Sequence, residues 1–240
     1  MELELKKECL DTYELGEPQT LTQEETAETI VPDYCPDIAR IISAEGVVCL
    51  HGGTEQDGVT GTVRVTVLYT PENESGVRAL EFAMPFSAQG EGLAGCAHVV
   101  VETEIELLES RMLNPRKIFT RCKLVTHLAG CRKVCLTISS DAETDPALLV
   151  EKRCCGQTVS LLRQVAEKDL TFSETMSLSL GREGAAELLH CRANGIVTET
   201  KAIGNKLIFK GVFLVSALYR TIGGQLASAS AELPFSQIME

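Results

Sequence analysis

The chain is expected to be mainly β, built as two repeated antiparallel β-sandwich or sheet units with a few short helices. Three observations predict this. Apolar and polar residues alternate with period two over 59–69 and 80–86; the same alternation returns over 207–219; and matching residues recur in order about 149 positions apart. Alternation at period two places one set of side chains on each face of a strand. An ordered series of matches at one displacement points to duplication.

The repeat organises the chain. Leu21-Thr22 recurs as Leu170-Thr171, Glu25-Thr26 as Glu174-Thr175, and Gly46-Val47 as Gly195-Ile196. Gly61 and Leu68-Tyr69 recur as Gly211 and Leu218-Tyr219, and Pro85-Phe86-Ser87 as Pro234-Phe235-Ser236. The slips of one residue fall in loop-forming stretches, where insertion costs little. Residues 1–140, with an N-terminal strand, form the first unit. Residues 141–164 connect, and 165–240 form a second, diverged and shortened unit.

Each element has a local reason. In the first unit Val63, Val65, Val67 and Tyr69 alternate with Thr62, Arg64 and Thr66. The turn-forming run 70–76 follows, and then Leu80, Phe82 and Met84. Pairing Val67 with Leu80, Val65 with Phe82 and Val63 with Met84 puts every apolar side chain on one face, as a hairpin requires. A second hairpin turns at Asn114-Pro115. Its expected register sets Glu104 against Arg121, Glu102 against Lys123, Leu107 against Ile118 and Val101 against Leu124. Short helices are expected at Pro36–Ala44, where Ile38, Ile41 and Ile42 recur at helical spacing after a proline, and at its counterpart Arg182–Arg192. The stretch 147–163, with Cys154-Cys155, reads as either strand or helix.

The second unit differs in one respect. Phe213, Val215, Ala217 and Tyr219 repeat the apolar face, but the opposite face carries Val212, Leu214 and Leu218 where the first unit has Thr62, Arg64 and Leu68. A strand apolar on both sides needs cover on both sides. Val212, Leu214 and Leu218 are therefore the expected interaction face, packing on the first unit or on another subunit. No counterpart of the 99–128 hairpin follows, so the last strand should leave an open edge. The alternation Leu3, Leu5 or a neighbouring chain would complete it.

Composition narrows the function. A net charge of −12 argues against nucleic acid and anionic membranes as partners. The longest apolar runs are too short to span a bilayer, and no export signal is visible at the N-terminus, so a cytoplasmic, non-inserting protein is expected. Ten cysteines include no C-x-x-C pair, which leaves them as small buried hydrophobes or as late cross-links between chains. The common phosphate-loop, dinucleotide and serine-hydrolase motifs are missing. Cys49, His51, Cys96 and His98 would suit a tetrahedral zinc if their segments met; strand-edge roles are the simpler reading. Asp33 and Asp37 lie beside prolines, where turn geometry and helix capping account for them. No catalytic residue, metal or cofactor is expected, and the protein is not read as an enzyme.

The run from Ile30 to Ile38, followed by Ile41, resembles the opening signature of the SPOCS domain. Gly61 to Tyr69, then Pro85-Phe86, then Leu113 to Ile118 continue that pattern across the first unit; the second unit resembles it more faintly. The resemblance implies a SipL-like spore coat morphogenetic protein, made in the mother-cell cytoplasm and then placed on the forespore surface. Its partners would be other coat or layer proteins and further copies of itself. It carries no catalytic residue across. SPOCS repeats often precede a LysM domain, and no LysM segment follows Pro234-Phe235, so docking through LysM is not expected. The alternative reading is a module binding a small ligand or cell-wall glycan, against which the lack of Trp and the scarcity of other aromatics weigh.

Overall fold

The structure, a computed structural model, describes residues 4–51, 58–143, 151, 153, 156, 158–166, 173 and 184–239. Ten strands make three antiparallel sheets: β1 (Glu4–Leu15), β2 (Gln19–Ile30), β3 (Ile38–His51), β4 (Gly58–Pro71), β5 (Arg78–Gln89), β6 (His98–Asn114), β7 (Lys117–Glu143), β8 (Ala185–Ile203), β9 (Lys206–Thr221) and β10 (Leu226–Met239).

The first hairpin forms in the expected register, with Val67 opposite Leu80, Val65 opposite Phe82 and Val63 opposite Met84. β3 joins its other side to complete the sheet β3–β4–β5. β7 is long enough to serve two strands on one flank. β2 pairs with its first half, from Ile30↔Lys117 to Gln19↔Leu128, and β1 with its second, from Leu15↔Cys131 to Glu4↔Glu143. β6 lies along the opposite flank.

These two sheets face each other. Val63, Val65, Val67, Tyr69, Leu80 and Met84 meet Ile118, Cys122 and Leu124 in one buried cluster. Burying an aliphatic side chain of this size contributes about 1.5–3 kcal/mol, against about 0.2–1 kcal/mol for a cross-strand pair on the wet face. The alternation therefore decides the sandwich, and the charges only decorate it. Gly46 lets β3 approach β6: a Cβ there would sit 2.8 Å from Ile105 Cδ1 and 3.1 Å from Leu108 Cδ2.

The sheet β8–β9–β10 repeats β3–β4–β5 strand for strand. Ala217↔Ala229 stands where Val67↔Leu80 stands, and Gly211↔Phe235 where Gly61↔Phe86 stands. The Gly–Phe pair has a packing cause. The ring of Phe86 lies over Gly61, and that of Phe235 over Gly211, where a Cβ would meet ring atoms at 2.5 Å in both cases. On the other side the copies diverge: Gly46 pairs with Val65, but Gly195 pairs with Phe213, two residues before Val215, the counterpart of Val65. A shift of two keeps every side chain on its face.

Three expectations are corrected. Among the described residues there is no helix; Pro36–Ala44 leads into β3, and 185–192 begins β8. Both strands open with bulges, between Ile38/Arg40 and Ile41/Ser43 in β3 and between Ala185/Glu187 and Leu188/His190 in β8. A bulge adds one residue to the repeat of two, so the inward residues Ile38 and Ile41 recur at a spacing of three and imitate a helix. The second correction concerns the β6–β7 register. Val101 faces Leu128, Glu102 His127, Glu104 Val125, Leu107 Lys123, and Ile118 faces Met112. The turn takes only Pro115 and Arg116, and a bulge between Ile105 and Leu107 brings Leu108 rather than Leu107 against the core. Third, the N-terminal strand does not complete the last sheet; it pairs with β7. The repeat partners Leu170-Thr171 and Glu174-Thr175, and Cys154-Cys155, lie outside the described residues.

The connecting stretch touches β1 at Leu162, whose carbonyl accepts from Tyr13 N (2.7 Å) and Thr12 Oγ1 (3.0 Å). Cys9 and Cys135, on the paired strands β1 and β7, form a disulfide with a Cα–Cα distance of 5.7 Å.

Candidate interaction surfaces

The two segments that carry the family-like sequence run meet at one end of the sandwich. Pro32 to Pro36 forms a turn between β2 and β3, closed by Cys35 N donating to Pro32 O (2.9 Å). The β6–β7 turn inserts Arg116 into it. Arg116 Nη1 donates to Cys35 O (2.8 Å) and Asp37 Oδ1 (3.1 Å), and Nη2 donates to Val31 O (2.8 Å) and Asp33 Oδ1 (3.0 Å). The backbones lace together as well: Val31 N donates to Arg116 O and Ile38 N to Pro115 O, each at 2.9 Å.

A planar guanidinium with a fork of donors suits this set of carbonyls and carboxylates; a lysine would not. Val31 and Ile38 flank it, both fully buried. Asp33 and Asp37 therefore hold a structural cation, and helix capping is not their role. Tyr34, at the tip of the turn, is 87% exposed.

Burial has electrostatic consequences beside the clasp. Tyr69, whose hydroxyl donates to Pro36 O at 3.3 Å, has its pKa pushed up to about 12, by burial first and then by the nearby Cys35. Burial likewise pushes the Cys122 thiol up to about 11, with Glu25 opposite on β2 adding to it.

β8 lies against the sandwich along a polar seam. Glu187 Oε2 accepts from Arg78 Nη1 (2.7 Å) and from Arg220 Nη2 (2.8 Å), so one carboxylate ties β5 to β8 and β9. His190 Nε2 stands 3.2 Å from Glu45 Oε2. An open cleft beside it is lined by Cys49, Arg64, Glu81, His190 and Cys191. Nothing in the spacing of Arg78, Glu187 and Arg220 foretells this bridge, because Arg78 and Glu187 are 109 residues apart. The clasp had a signal, the two aspartates four apart with an Asn-Pro-Arg turn elsewhere, but no means of pairing them.

Cys49 and His51 lie at the end of β3 and His98 opens β6, with Cys96 in the loop before it. His51 Nε2 bonds Thr62 Oγ1 at 2.7 Å, and the His98 ring lies beside Tyr13. Among the described residues no three His, Cys, Asp or Glu side chains form a group able to hold a metal ion. No helix among them is long and apolar enough to cross a membrane.

Val212, Leu214 and Leu218 share one face of β9. Val212 is flanked by Ile196 on β8 and Pro234 on β10, an apolar row across all three strands. Leu214 stands between Asn194 and Glu232 and is 40% exposed. Leu218 lies nearer the seam, opposite His190.

Residues 185–240, the sheet that holds this face, match the family model described as SipL, SPOCS domain. No curated protein and no solved structure matches the chain.

Proposed function

We propose that this chain is a structural, non-catalytic component of the bacterial spore coat or a similar proteinaceous layer, acting through protein–protein contact and self-association. It would be made in the mother-cell cytoplasm and deposited at the spore coat surface, with other coat or layer proteins as partners. Support comes from the SPOCS match over 185–240, and from the engagement of Asp33 and Asp37 with Arg116, which leaves that pair to structure rather than acid–base work.

The observation that carries the proposal is the half-open apolar row on β9. Leu214 exposes 40% of its surface at the centre of a strand, next to Ile196, Val212 and Pro234. The same face of the first unit bears Thr62 and Arg64. Grouped apolar exposure of this kind marks contact surfaces more than isolated exposed side chains do. Val212, Leu214 and Leu218 are the residues assigned to contact.

The test is incorporation. In an endospore-forming host, a tagged chain should fractionate with the detergent-resistant layer of purified spores. Leu214→Glu should leave it in the mother-cell extract while the purified variant keeps the parent's circular dichroism. Recovery of the unaltered chain only from the mother-cell extract would refute the layer assignment. Equal incorporation of the variant would refute the face.

A further inference from the structure

We infer that the edge of β10 left open among the described residues, over Leu226–Glu232, pairs antiparallel with the same segment of a second copy of this chain, about a twofold axis at Ala229. The inference deepens the self-association part of the proposed function and rests on it.

The edge differs in chemistry from the charged edges, and β5, which is also uncharged from Phe82 to Gln89, packs against β2. β1 carries Lys6, Lys7, Glu8, Asp11 and Glu14, and β6 carries Glu102, Glu104, Glu106, Glu109 and Arg111. β8, at the opposite side of the same sheet, carries Glu187, Arg192, Glu199 and Lys201. Charge along an edge is how sheets avoid adding a strand. Leu226–Glu232 reads Leu-Ala-Ser-Ala-Ser-Ala-Glu, with one charge at its end and side chains too small to obstruct a neighbour. Among the described residues, only β9 pairs with β10.

The direction of its hydrogen-bonding groups follows from the turn. Thr221 N donates to Gln225 O at 2.8 Å. In an antiparallel ladder inward and outward residues alternate, so odd residues of β10 bond to β9. The N–H and C=O groups of Leu226, Ser228, Ser230 and Glu232 then point away from it. Pro234 has the same parity, so its missing N–H falls on the free side. That is where an edge strand tolerates proline.

Proline also fixes the register. Only even residues offer outward groups, so bonded pairs join even to even. With the axis at Ala229, Ser228 faces Ser230 of the second copy and Leu226 faces its Glu232. Pro234 falls opposite Gly224, which lies in the β9–β10 turn with φ of 83°, where no ladder donor is needed. Moving the axis to Ser230 sets Pro234 opposite Leu226 and loses a donor. Moving it to Ser228 runs Glu232 out against the turn. The Ala229 register also keeps the two Glu232 carboxylates apart, and the product is one six-stranded sheet.

The experiment uses the full chain in reductant, followed by sedimentation velocity over a range of concentrations and by amide hydrogen exchange. The parent is expected to dimerise, with protection gained at Leu226, Ser228, Ser230 and Glu232. Ser230→Pro removes an outward donor that β9 does not use and should weaken dimerisation at least tenfold. Ser230→Lys, which does not constrain the backbone, should do the same and decides the matter if the proline variant does not fold. A parent that stays monomeric overturns the inference whatever the outcome of spore fractionation. A dimer indifferent to both Ser230 substitutions but lost in Leu214→Glu overturns the edge and leaves self-association through the β9 face standing.

Discussion

Arg116 Nη1 lies 3.1 Å from Asp37 Oδ1, and the same guanidinium reaches Asp33, Val31 O and Cys35 O. Asp33 is fully exposed and Asp37 part-exposed, so solvent screens both ion pairs and each is worth well under its Coulomb value. The two carbonyls matter more, because Arg116→Ala strips both of a charged donor. An unmet acceptor at a part-buried site costs about 1–3 kcal/mol. Arg116→Ala should therefore lower the unfolding free energy measured in urea by an amount in that range, and Arg116→Lys should recover less than half, since an ammonium lacks the fork. Full recovery by lysine would show that charge alone, rather than geometry, holds the turn.

A glycine to alanine change in a strand is ordinarily neutral or mildly favourable, since glycine forfeits entropy on folding. At Gly61 the sign should reverse. The added Cβ meets the Phe86 ring at 2.5 Å and Cys49 O at 2.9 Å, and the backbone cannot give way as a flexible side chain would. Overpacking of this kind costs about 1–3 kcal/mol. Gly61→Ala should lower the thermal midpoint, and Gly211→Ala, under Phe235, should loosen β8–β10 in the same way. Hydrogen exchange in the two sheets would separate the effects.

Sequence legibility followed the regularity of each strand. β4 and β5 alternate without interruption, so their register could be read from Val63, Val65 and Val67 against Met84, Phe82 and Leu80. β3, β6 and β8 contain bulges, and there a fixed period misleads: two strand openings imitate helices, and the β6–β7 pairing lies several residues from the one that alternation predicts. Bulges answer to neighbours in the facing sheet, as Ile105 and Leu108 of β6 pack at Gly46 of β3, and these lie far away in sequence. The Gly–Phe repeat was visible as matching letters, but its cause, a ring over a bare Cα, needed coordinates. The same holds for the clasp, in which Asp33 and Arg116 are 83 residues apart.

Stability at alkaline pH follows from Tyr69 and Cys122. Both are neutral when protonated, and both pKa values are raised in the fold, to about 12 and about 11 from 10.0 and 9.0. Between the unfolded and folded values the native state holds more protons than the unfolded one, so stability falls as pH rises. Their contribution is complete below about pH 9. That of Cys122 is lost as pH climbs through about 11, and that of Tyr69 through about 12. Urea midpoints from pH 8 to 11 should decline, less steeply in Cys122→Ala after correction for its own lower stability. Thiol labelling should agree: the exposed Cys191 reacts in the native state, and the buried Cys122 only on unfolding.

Glu187 offers a test of whether β8–β10 and the sandwich behave as one body. Its Oε2 accepts from both Arg78 and Arg220, and all three side chains are between a quarter and about a third exposed. Arg78 has a second partner in Glu74, whereas Arg220 donates through Nε (3.2 Å) and Nη2 (2.8 Å) to Glu187. Removing the carboxylate should thus be felt more through Arg220 than through Arg78. After allowance for solvent, the expected coupling in a Glu187→Ala/Arg220→Ala double-mutant cycle is about 0.5–1.5 kcal/mol, with a smaller value for Glu187→Ala/Arg78→Ala. Both should shrink in 0.5 M salt, because part-exposed pairs are screened. Hydrogen exchange in Glu187→Ala should rise over 185–192 before it rises in β4. Uniform acceleration across both sheets would mean that they unfold together and that the bridge does not separate them.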